Sequence, residues 1–185
     1  MNATKPTNMA GTGTPIAARM IWKKLGAGVV VVMLAAFVFL LWYRAYYSMD
    51  VAETFELNPG RVEHRVLIAT QGSDFKNALV DGLLAHLREK DTYVRVIDVS
   101  ALAIVDEAEW DAVVILHTWE YGEPPIAVRG YVEHAKNLDD VIVLGTSGSG
   151  TLKIKGIDAI SSASVMTGVS ARVADITRRL DTLLD

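Results

Sequence analysis

The chain has 185 residues, of which 51% are hydrophobic and 22% charged, and this composition excludes an intrinsically disordered protein. The absence of cysteine excludes disulfides, iron–sulfur clusters, thiolate zinc sites and a cysteine nucleophile. The net charge of −4 is unevenly distributed: residues 1–49 carry five basic residues and no acidic ones, whereas residues 50–185 carry 13 basic and 22 acidic residues. An acidic globular part argues against nucleic acid as a partner, because phosphate recognition needs a basic face.

The first predicted element is a transmembrane helix over residues 25–43. These nineteen uncharged residues form a helix of about 28 Å, close to the hydrocarbon thickness of about 30 Å. The aromatic residues that flank the run, as in an aromatic belt, are Trp22 before it and Trp42, Tyr43, Tyr46 and Tyr47 at its other end. A buried core helix and a cleaved signal peptide are the alternatives. The bulky residues after the run make a poor cleavage site, which favours a single-pass anchor.

Basic residues predict the orientation of this span. Arg19, Lys23 and Lys24 precede it, whereas only Arg44 follows it closely. The excess of Lys and Arg predicts a basic cytoplasmic tail over residues 1–24 and a C-terminal domain on the other side of the membrane. The expected protein is therefore a single-pass protein of the cell membrane with an extracytoplasmic C-terminal domain, and membrane lipid is its first expected partner.

The segment after the span is predicted to be a linker over residues 44–60. It has no clean hydrophobic period and ends in Asn-Pro-Gly, a turn signal. The remaining residues, 61–185, are enough for one ordinary domain.

In this domain, apolar runs typical of strands alternate with helical stripes. The runs predict strands over residues 62–70, 93–97, 111–118 and 141–145, with 157–162 as the candidate for a fifth. The predicted helices cover residues 74–89, 126–138 and the C-terminus, and a short helical or irregular crossover covers 101–109. Unbroken apolar strands between helices predict a doubly wound α/β fold with a parallel sheet of four or five strands, covered on both faces.

Three loops are predicted at the carboxyl ends of these strands. Ligands of such sheets bind outside the carboxyl ends, where the strand order reverses. The candidate binding residues are Thr70, Gln71, Gly72, Ser73 and Asp74 in the first loop, Thr118, Trp119, Glu120, Tyr121 and Gly122 in the second, and Thr146, Ser147 and Gly148 in the third.

This arrangement resembles the flavodoxin-like family over essentially all of residues 62–185. The second loop, Trp-Glu-Tyr-Gly-Glu-Pro-Pro, is similar to the aromatic-x-Tyr-Gly-x-x-Pro run of that family, and residues 145–150 look like its Gly-x-Gly-Asp-Ser loop. The resemblance implies FMN as cofactor, electron transfer as function and a redox protein as partner. It implies that Trp119 and Tyr121 stack on the flavin, that Gly72 and Ser73 hold the phosphate and that residues 145–150 give backbone contacts to the ring.

Departures from the family pattern leave a second function open. Asp74 puts a carboxylate at the seat of the phosphate, which costs on the order of several kcal/mol in a partly dry site. The third loop also lacks the usual second aromatic residue. The alternative is a degenerate flavodoxin-like domain that binds no flavin and acts as a binding or interaction module. An electron carrier or a binding protein is expected rather than a catalyst, because no nucleophile–base pair is visible.

Purely structural interpretations of the same residues also stay open. Ser73 or Asp74 is equally suited to be the N-cap of the helix that follows. Trp119 and Tyr121 are equally suited to cover the edge of the sheet. The four histidines are scattered without the spacing of metal ligands, so no metal site is expected.

One further stretch, residues 158–164, resembles the Asp-x-x-(Ser/Thr)-Gly-Ala-Thr signature of proteins that bind flavin covalently. Ser162 replaces the glycine and Ser164 replaces the final threonine. Short Ser/Ala matches arise easily by chance, so the stretch adds only small polar residues near the predicted site.

Overall fold

The computed structural model describes residues 16–47, 49–60, 63–157 and 159–185. The boundary between two compact units falls between Ser48 and Met49. In the first unit, helix α1 (Ile16–Tyr47) extends beyond the predicted span at both ends. Its part Trp22–Tyr43 is long and apolar enough to cross a membrane, and none of that part is buried.

The second unit is built on a six-stranded sheet. Its strands are β1 (Phe55–Leu57), β2 (His64–Thr70), β3 (Thr92–Asp98), β4 (Ala112–Thr118), β5 (Val141–Thr146) and β6 (Ala159–Ser162). Their order across the sheet is β1-β3-β2-β4-β5-β6. The five strands β2 to β6 are parallel, and β1 pairs antiparallel with β3.

Helices and short turns connect the parallel strands. Helix α2 (Asp74–Leu87) follows β2, helix α3 (Ile126–His134) follows β4 and helix α4 (Val169–Leu184) follows β6. The crossover from β3 to β4 contains two 3-10 turns, Val99–Ile104 and Glu107–Glu109. A mostly parallel α/β sheet is therefore the architecture of this unit.

The sheet separates two apolar layers, as its unbroken apolar strands predicted. On one face, Leu83 of α2 and Leu180 of α4 pack in the same core as Ile68 of β2. On the other face, Leu102 of the first 3-10 turn and Val128 of α3 pack in a second core. Burial on both faces holds β2 and β4 at the centre and fixes where their carboxyl ends emerge.

The structure corrects the predicted number of strands, which is six and not four or five. The additional strand, β1, lies within residues 44–60, where the sequence predicts a linker. Helix α3 is shorter than predicted because the backbone becomes extended at Ala135, with ψ of 134°. The predicted first residues of the domain and of its first strand, 61 and 62, lie outside the described residues, and β2 begins at His64.

Candidate functional site

Strands β2, β4 and β5 end side by side at one edge of the sheet. Thr118 pairs in register with Thr146, and Thr70 pairs with Leu116, two residues before the end of β4. The parallel direction brings the three predicted loops together at this edge, which we call the carboxyl-end rim. The rim thus gathers the candidate residues that the sequence places after separate strands.

A segment before β1 covers the first loop. This segment, residues 49–52, is called the strap. The N–H of Gly72 donates a hydrogen bond of 2.6 Å to the carbonyl oxygen of Asp50, and the two residues form an antiparallel bridge. The N–H of Ala52 donates to Asp98 Oδ2 at 2.9 Å, at the end of β3. The strap is therefore held by hydrogen bonds to the carboxyl ends of two neighbouring strands.

The contact at Gly72 leaves no room for a side chain. A Cβ atom at this position would lie 2.7 Å from the oxygen and from the Cβ of Asp50. Gly72 is thus required by the close approach of the strap.

Ser73 is the N-cap of α2, as one of the two open interpretations has it. Its backbone is extended, and its Oγ accepts a hydrogen bond from the N–H of Lys76 at 3.3 Å. Asp74 is the first residue of the helix and is exposed to solvent, where its carboxylate favours the positive end of the helix dipole.

Lys76 is a residue of the rim that the sequence analysis did not single out. Its side chain is fully buried, and its Nζ donates a hydrogen bond of 2.5 Å to Thr118 Oγ1. The Sδ atom of Met49, in the strap, lies 3.6 Å from the same Nζ. Burial lowers the pKa of Lys76 to about 8, against the opposing attraction of Glu120.

The helical spacing contained a signal for this buried lysine. Lys76 lies four residues before Val80, and Val80 lies four residues before Leu84; all three are buried on α2. A lysine in register with an apolar stripe is a candidate for a buried ammonium, since its neighbours on that stripe face the core.

Gln71 connects the first loop to the second. Its side chain is 6% exposed. Its Oε1 accepts a hydrogen bond from the N–H of Thr118 at 2.7 Å, and its Nε2 donates to Glu120 Oε1 at 3.1 Å. Gln71 therefore fixes the start of the second loop, in addition to its predicted place in the first.

The hydroxyl groups of the two central threonines share this network. Thr118 Oγ1 and Thr146 Oγ1 are 3.0 Å apart, and Thr146 Oγ1 donates to the carbonyl oxygen of His117 at 3.2 Å. Thr70 is also buried, and its Oγ1 donates a hydrogen bond of 3.3 Å to the carbonyl oxygen of Gln71. The hydroxyls of these strand ends are thus engaged within the chain.

Trp119 lies against the third loop. Its N–H donates to the carbonyl oxygen of Thr146 at 2.8 Å, and its indole approaches Gly145 so closely that a Cβ there would lie 2.8 Å from Nε1. The indole and the imidazole of His117 have ring centroids 5.8 Å apart. The indole N–H is buried, so Trp119 covers the edge of the sheet at this point.

His117 is buried beside this indole. Neither ring nitrogen of His117, nor Trp119 Nε1, has a hydrogen-bond partner among the described residues. Burial lowers the pKa of His117 to about 4, against the backbone of Thr118, which raises it; the charge of Lys76 adds to the effect of burial, so the imidazole is neutral at pH 7. A neutral, enclosed imidazole serves packing here.

The tip of the second loop points away from the sheet. Glu120 and Glu123 exchange backbone hydrogen bonds of 2.8 and 3.0 Å, and Tyr121 and Gly122 between them have positive φ values of 53° and 83°. This tight turn leaves the Tyr121 side chain 93% exposed. The two predicted aromatic residues thus differ: Trp119 packs inward and Tyr121 projects outward.

The third loop is a turn held by hydrogen bonds of Ser147. The N–H of Ser147 donates to the carbonyl oxygen of Ser162 at 3.1 Å, and the N–H of Gly150 donates to Ser147 Oγ at 3.0 Å. Gly148 is exposed, and a Cβ atom at this position would meet no neighbouring atom within 4 Å. In the stretch that resembles the covalent flavin signature, Asp158 lies outside the described residues and Ser164 is exposed.

The described residues contain no group of three or more His, Asp or Glu side chains that could hold a metal ion. No family model matches the chain, and no curated protein matches it either. Among solved structures, the chain is similar to an oxidoreductase from Corynebacterium diphtheriae, with 13% sequence identity and a TM-score of 0.43 over 66% of this chain and 97% of that chain.

Proposed function

We propose that the chain is a membrane-anchored interaction module that works without a flavin, and that the carboxyl-end rim is its recognition surface. The observation that carries this proposal is the hydrogen bond from the N–H of Gly72 to the carbonyl oxygen of Asp50. It occupies one of the backbone donors that the first loop could offer to a phosphate.

The strand order supports a flavodoxin-like relationship for the α/β unit. Without β1, the order of the parallel strands is β3-β2-β4-β5-β6, which is the doubly wound order of flavodoxin-like sheets. In that order the first and second loops flank the point where the strand order reverses. The proposed module is thus a divergent member of that fold, with the strap added over its first loop.

The residues of the first loop do not fit the phosphate of FMN. The amide of Gly72 is paired with the strap, Ser73 Oγ caps the helix and the exposed carboxylate of Asp74 stands at the helix start. The nearest cation, Lys76, is enclosed and bonded to Thr118. A dianion placed here would meet a carboxylate and would have to displace the chain's own backbone.

Helix α1 supports the membrane anchor. Its part Trp22–Tyr43 has a mean hydropathy of 2.6 and exposed side chains throughout, as a lipid-facing helix requires. The bias of basic residues towards its N-terminal side supports a cytoplasmic N-terminus and an extracytoplasmic α/β unit in the cell membrane.

Electron transfer by a bound FMN is the second candidate, and one observation favours it. Tyr121 is 93% exposed on a tight turn of the loop that resembles the flavin-stacking loop of the family. An aromatic side chain in that position is free to stack on a ring, with a redox protein as partner. FMN binding therefore stays a prediction.

A titration of FMN with the full chain in detergent distinguishes the two candidates. We expect FMN fluorescence to stay unchanged as protein is added, because the strap occupies the amide of Gly72 and the carboxylate of Asp74 repels the phosphate. Saturable quenching that is lost in Tyr121→Ala and kept in the control Phe55→Ala, an exposed aromatic residue on β1, would favour the electron carrier instead.

A further inference from the structure

We infer that Met49 is a site of oxidative modification by hydrogen peroxide, and that its sulfoxide binds the buried ammonium group of Lys76 and holds the strap more firmly on the first loop. This inference goes beyond the proposed recognition role and does not depend on the membrane anchor. It rests on the contacts that the strap makes with the interior of the α/β unit.

The ammonium group of Lys76 has few acceptors for its N–H groups. Its side chain is fully buried, and Thr118 Oγ1 accepts one hydrogen bond at 2.5 Å. Its other contact is the Sδ atom of Met49 at 3.6 Å, and a thioether is only a weak acceptor. Among the described residues Lys76 forms no ion pair, and Glu120 attracts it from a greater distance. A stronger acceptor in place of the sulfur would therefore stabilise this buried charge.

Met49 lies between this buried cation and the solvent. Its Sδ is 3.6 Å from both Lys76 Nζ and Thr118 Oγ1, so the sulfur faces the polar groups beneath the strap. The residue itself is partly exposed, whereas Lys76 is enclosed. A small oxidant can therefore approach Met49 without unfolding of the α/β unit.

The oxidation needs hydrogen peroxide and no catalytic group of the chain. A lone pair of Met49 Sδ attacks one peroxide oxygen, so that a sulfur–oxygen bond forms and the oxygen–oxygen bond breaks. The sulfur is oxidised by two electrons and the peroxide is reduced. The hydroxide that leaves takes up the proton of the transferred oxygen, and the products are the sulfoxide and water. A weakly accepting thioether thus becomes a polar group with an accepting oxygen.

The position of the new oxygen determines its effect on the strap. It stands one bond from a sulfur that already contacts Lys76 Nζ, so rotation of the Met49 side chain brings it within hydrogen-bond distance of the ammonium group. A hydrogen bond from a charged donor is stronger than one between neutral groups. Because Met49 is the first residue of the strap, this bond adds to the one between Gly72 and Asp50. Oxidation of methionine usually disrupts packing, whereas here it is expected to stabilise the strap.

Hydrogen exchange of the Gly72 amide reports how often the strap opens, because this N–H is bonded to Asp50. NMR measures it on the full chain in peroxide-free detergent, with nitrogen-15 in the glycines, before and after treatment with hydrogen peroxide. Mass spectrometry of peptides measures sulfoxide at Met49 and at Met166, which is 55% exposed. We expect Met49 to be oxidised at a rate within about tenfold of that of Met166. We expect exchange at Gly72 to slow by about tenfold in the treated chain.

Three variants separate the sulfoxide from other effects of the peroxide. Met49→Leu is the matched control, because leucine keeps an apolar side chain of similar volume without the sulfur, and we expect no slowing in it after treatment. Met49→Gln carries an amide oxygen near the place of the sulfoxide oxygen, and we expect it to slow exchange at Gly72 without peroxide, relative to Met49→Leu. In Lys76→Leu no cation receives the oxygen, and we expect oxidation to slow nothing.

Exchange at Gly72 that is unchanged or faster in the oxidised chain would overturn the inference, since the sulfoxide would then leave the strap as it is or displace it. Equal slowing in the treated Met49→Leu chain would overturn it too, because another residue would be the cause. The same holds if Met49 stays reduced while Met166 is fully oxidised. Should Lys76→Leu not fold, the comparison of Met49→Gln with Met49→Leu decides by itself: equal exchange in these two variants contradicts the inference.

Discussion

Lys76 Nζ donates a hydrogen bond of 2.5 Å to Thr118 Oγ1, which places a fully buried ammonium group between α2 and the end of β4. A buried cation is costly unless hydrogen bonds satisfy it. Here the hydroxyl of Thr118, the thioether of Met49 and the more distant charge of Glu120 provide the compensation. The incomplete compensation is reflected in the pKa of about 8.

This lowered pKa predicts a pH dependence of stability. Between about pH 8 and 10.5 the unfolded chain holds a proton on Lys76 that the folded chain has lost, so the free energy of unfolding rises with pH in this window. Below pH 8 both states are protonated and the penalty is constant. The shift corresponds to a contribution on the order of 3 kcal/mol over the whole window.

Lys76→Met isolates this contribution, because methionine keeps most of the volume without a charge. We expect the free energy of unfolding of the original chain to rise relative to that of the variant as the pH rises from 8 to 9.5, because only the original chain is relieved of a buried charge. Urea unfolding in detergent measures both chains. The pKa of Tyr131 is raised to about 12 and that of Tyr93 is also raised, so both tyrosines act above this range. A constant difference across these pH values would contradict the burial of the ammonium.

Gly72→Ala tests the contact between the strap and the first loop. Its Cβ would lie 2.7 Å from Asp50, so the strap must move, and we expect a loss of about 1–3 kcal/mol in the free energy of unfolding. Gly148→Ala is the matched control in the third loop, since nothing lies within 4 Å of its Cβ position. Equal stability of the two variants would show that the strap does not hold Gly72.

Gly145→Ala tests the inward packing of Trp119. The added Cβ would lie 2.8 Å from Trp119 Nε1 and 3.1 Å from His117 Nε2, so the indole must shift outward. In chains labelled with fluorotryptophan, we expect the fluorine NMR signal of residue 119 to move while that of Trp110 stays in place. An unchanged signal from residue 119 would mean that the indole does not contact Gly145.

Asp181→Asn tests how α2 and α4 are joined. Asp181 Oδ1 accepts a hydrogen bond from Lys90 Nζ and lies 2.7 Å from His86 Nε2, and the hydrogen bonds from Lys90 and then His86 lower the pKa of the carboxyl group. The lowered pKa means that the stabilisation is present above pH 4 and is lost as the pH falls further. The group is partly exposed, so we expect the variant to lose only about 0.5–1 kcal/mol at pH 7.

The control for this variant is Asp175→Asn, whose partners Arg172 and Arg178 lie on its own helix. We expect a smaller loss there, because no second helix is joined. Urea unfolding at pH 7 and at pH 3 measures both variants. A deficit of Asp181→Asn that persists unchanged at pH 3 would contradict the ionic origin of the contact.

The parallel strands could be predicted because each has a local signal. The run that became β4 is apolar over its whole length, as a strand buried on both faces must be, and α2 and α4 show their apolar stripes directly. Strand β1 has no such signal. It has three largely exposed residues and exists because Glu56 and its neighbours pair with β3 around Arg95.

The candidate site was predictable only in part, because some of its contacts join segments that are distant in the sequence and have no local signal. Strand ends and turn residues locate the three loops from local sequence, so the gathering of Gly72, Thr118 and Thr146 at one edge follows from the fold class. The strap does not, because the contact of Asp50 with Gly72 joins segments that have no local relationship in the sequence. The burial of Lys76 likewise depends on Met49 and Thr118, which only the folded chain brings to it.

The hydrogen exchange rate of the Gly72 amide tests the central claim most directly. The account predicts slow exchange in the full chain, because this N–H is bonded to the carbonyl oxygen of Asp50, and the same rate after FMN is added. Fast exchange that becomes slow when FMN is added would contradict it, since the loop would then be open and would close on a phosphate.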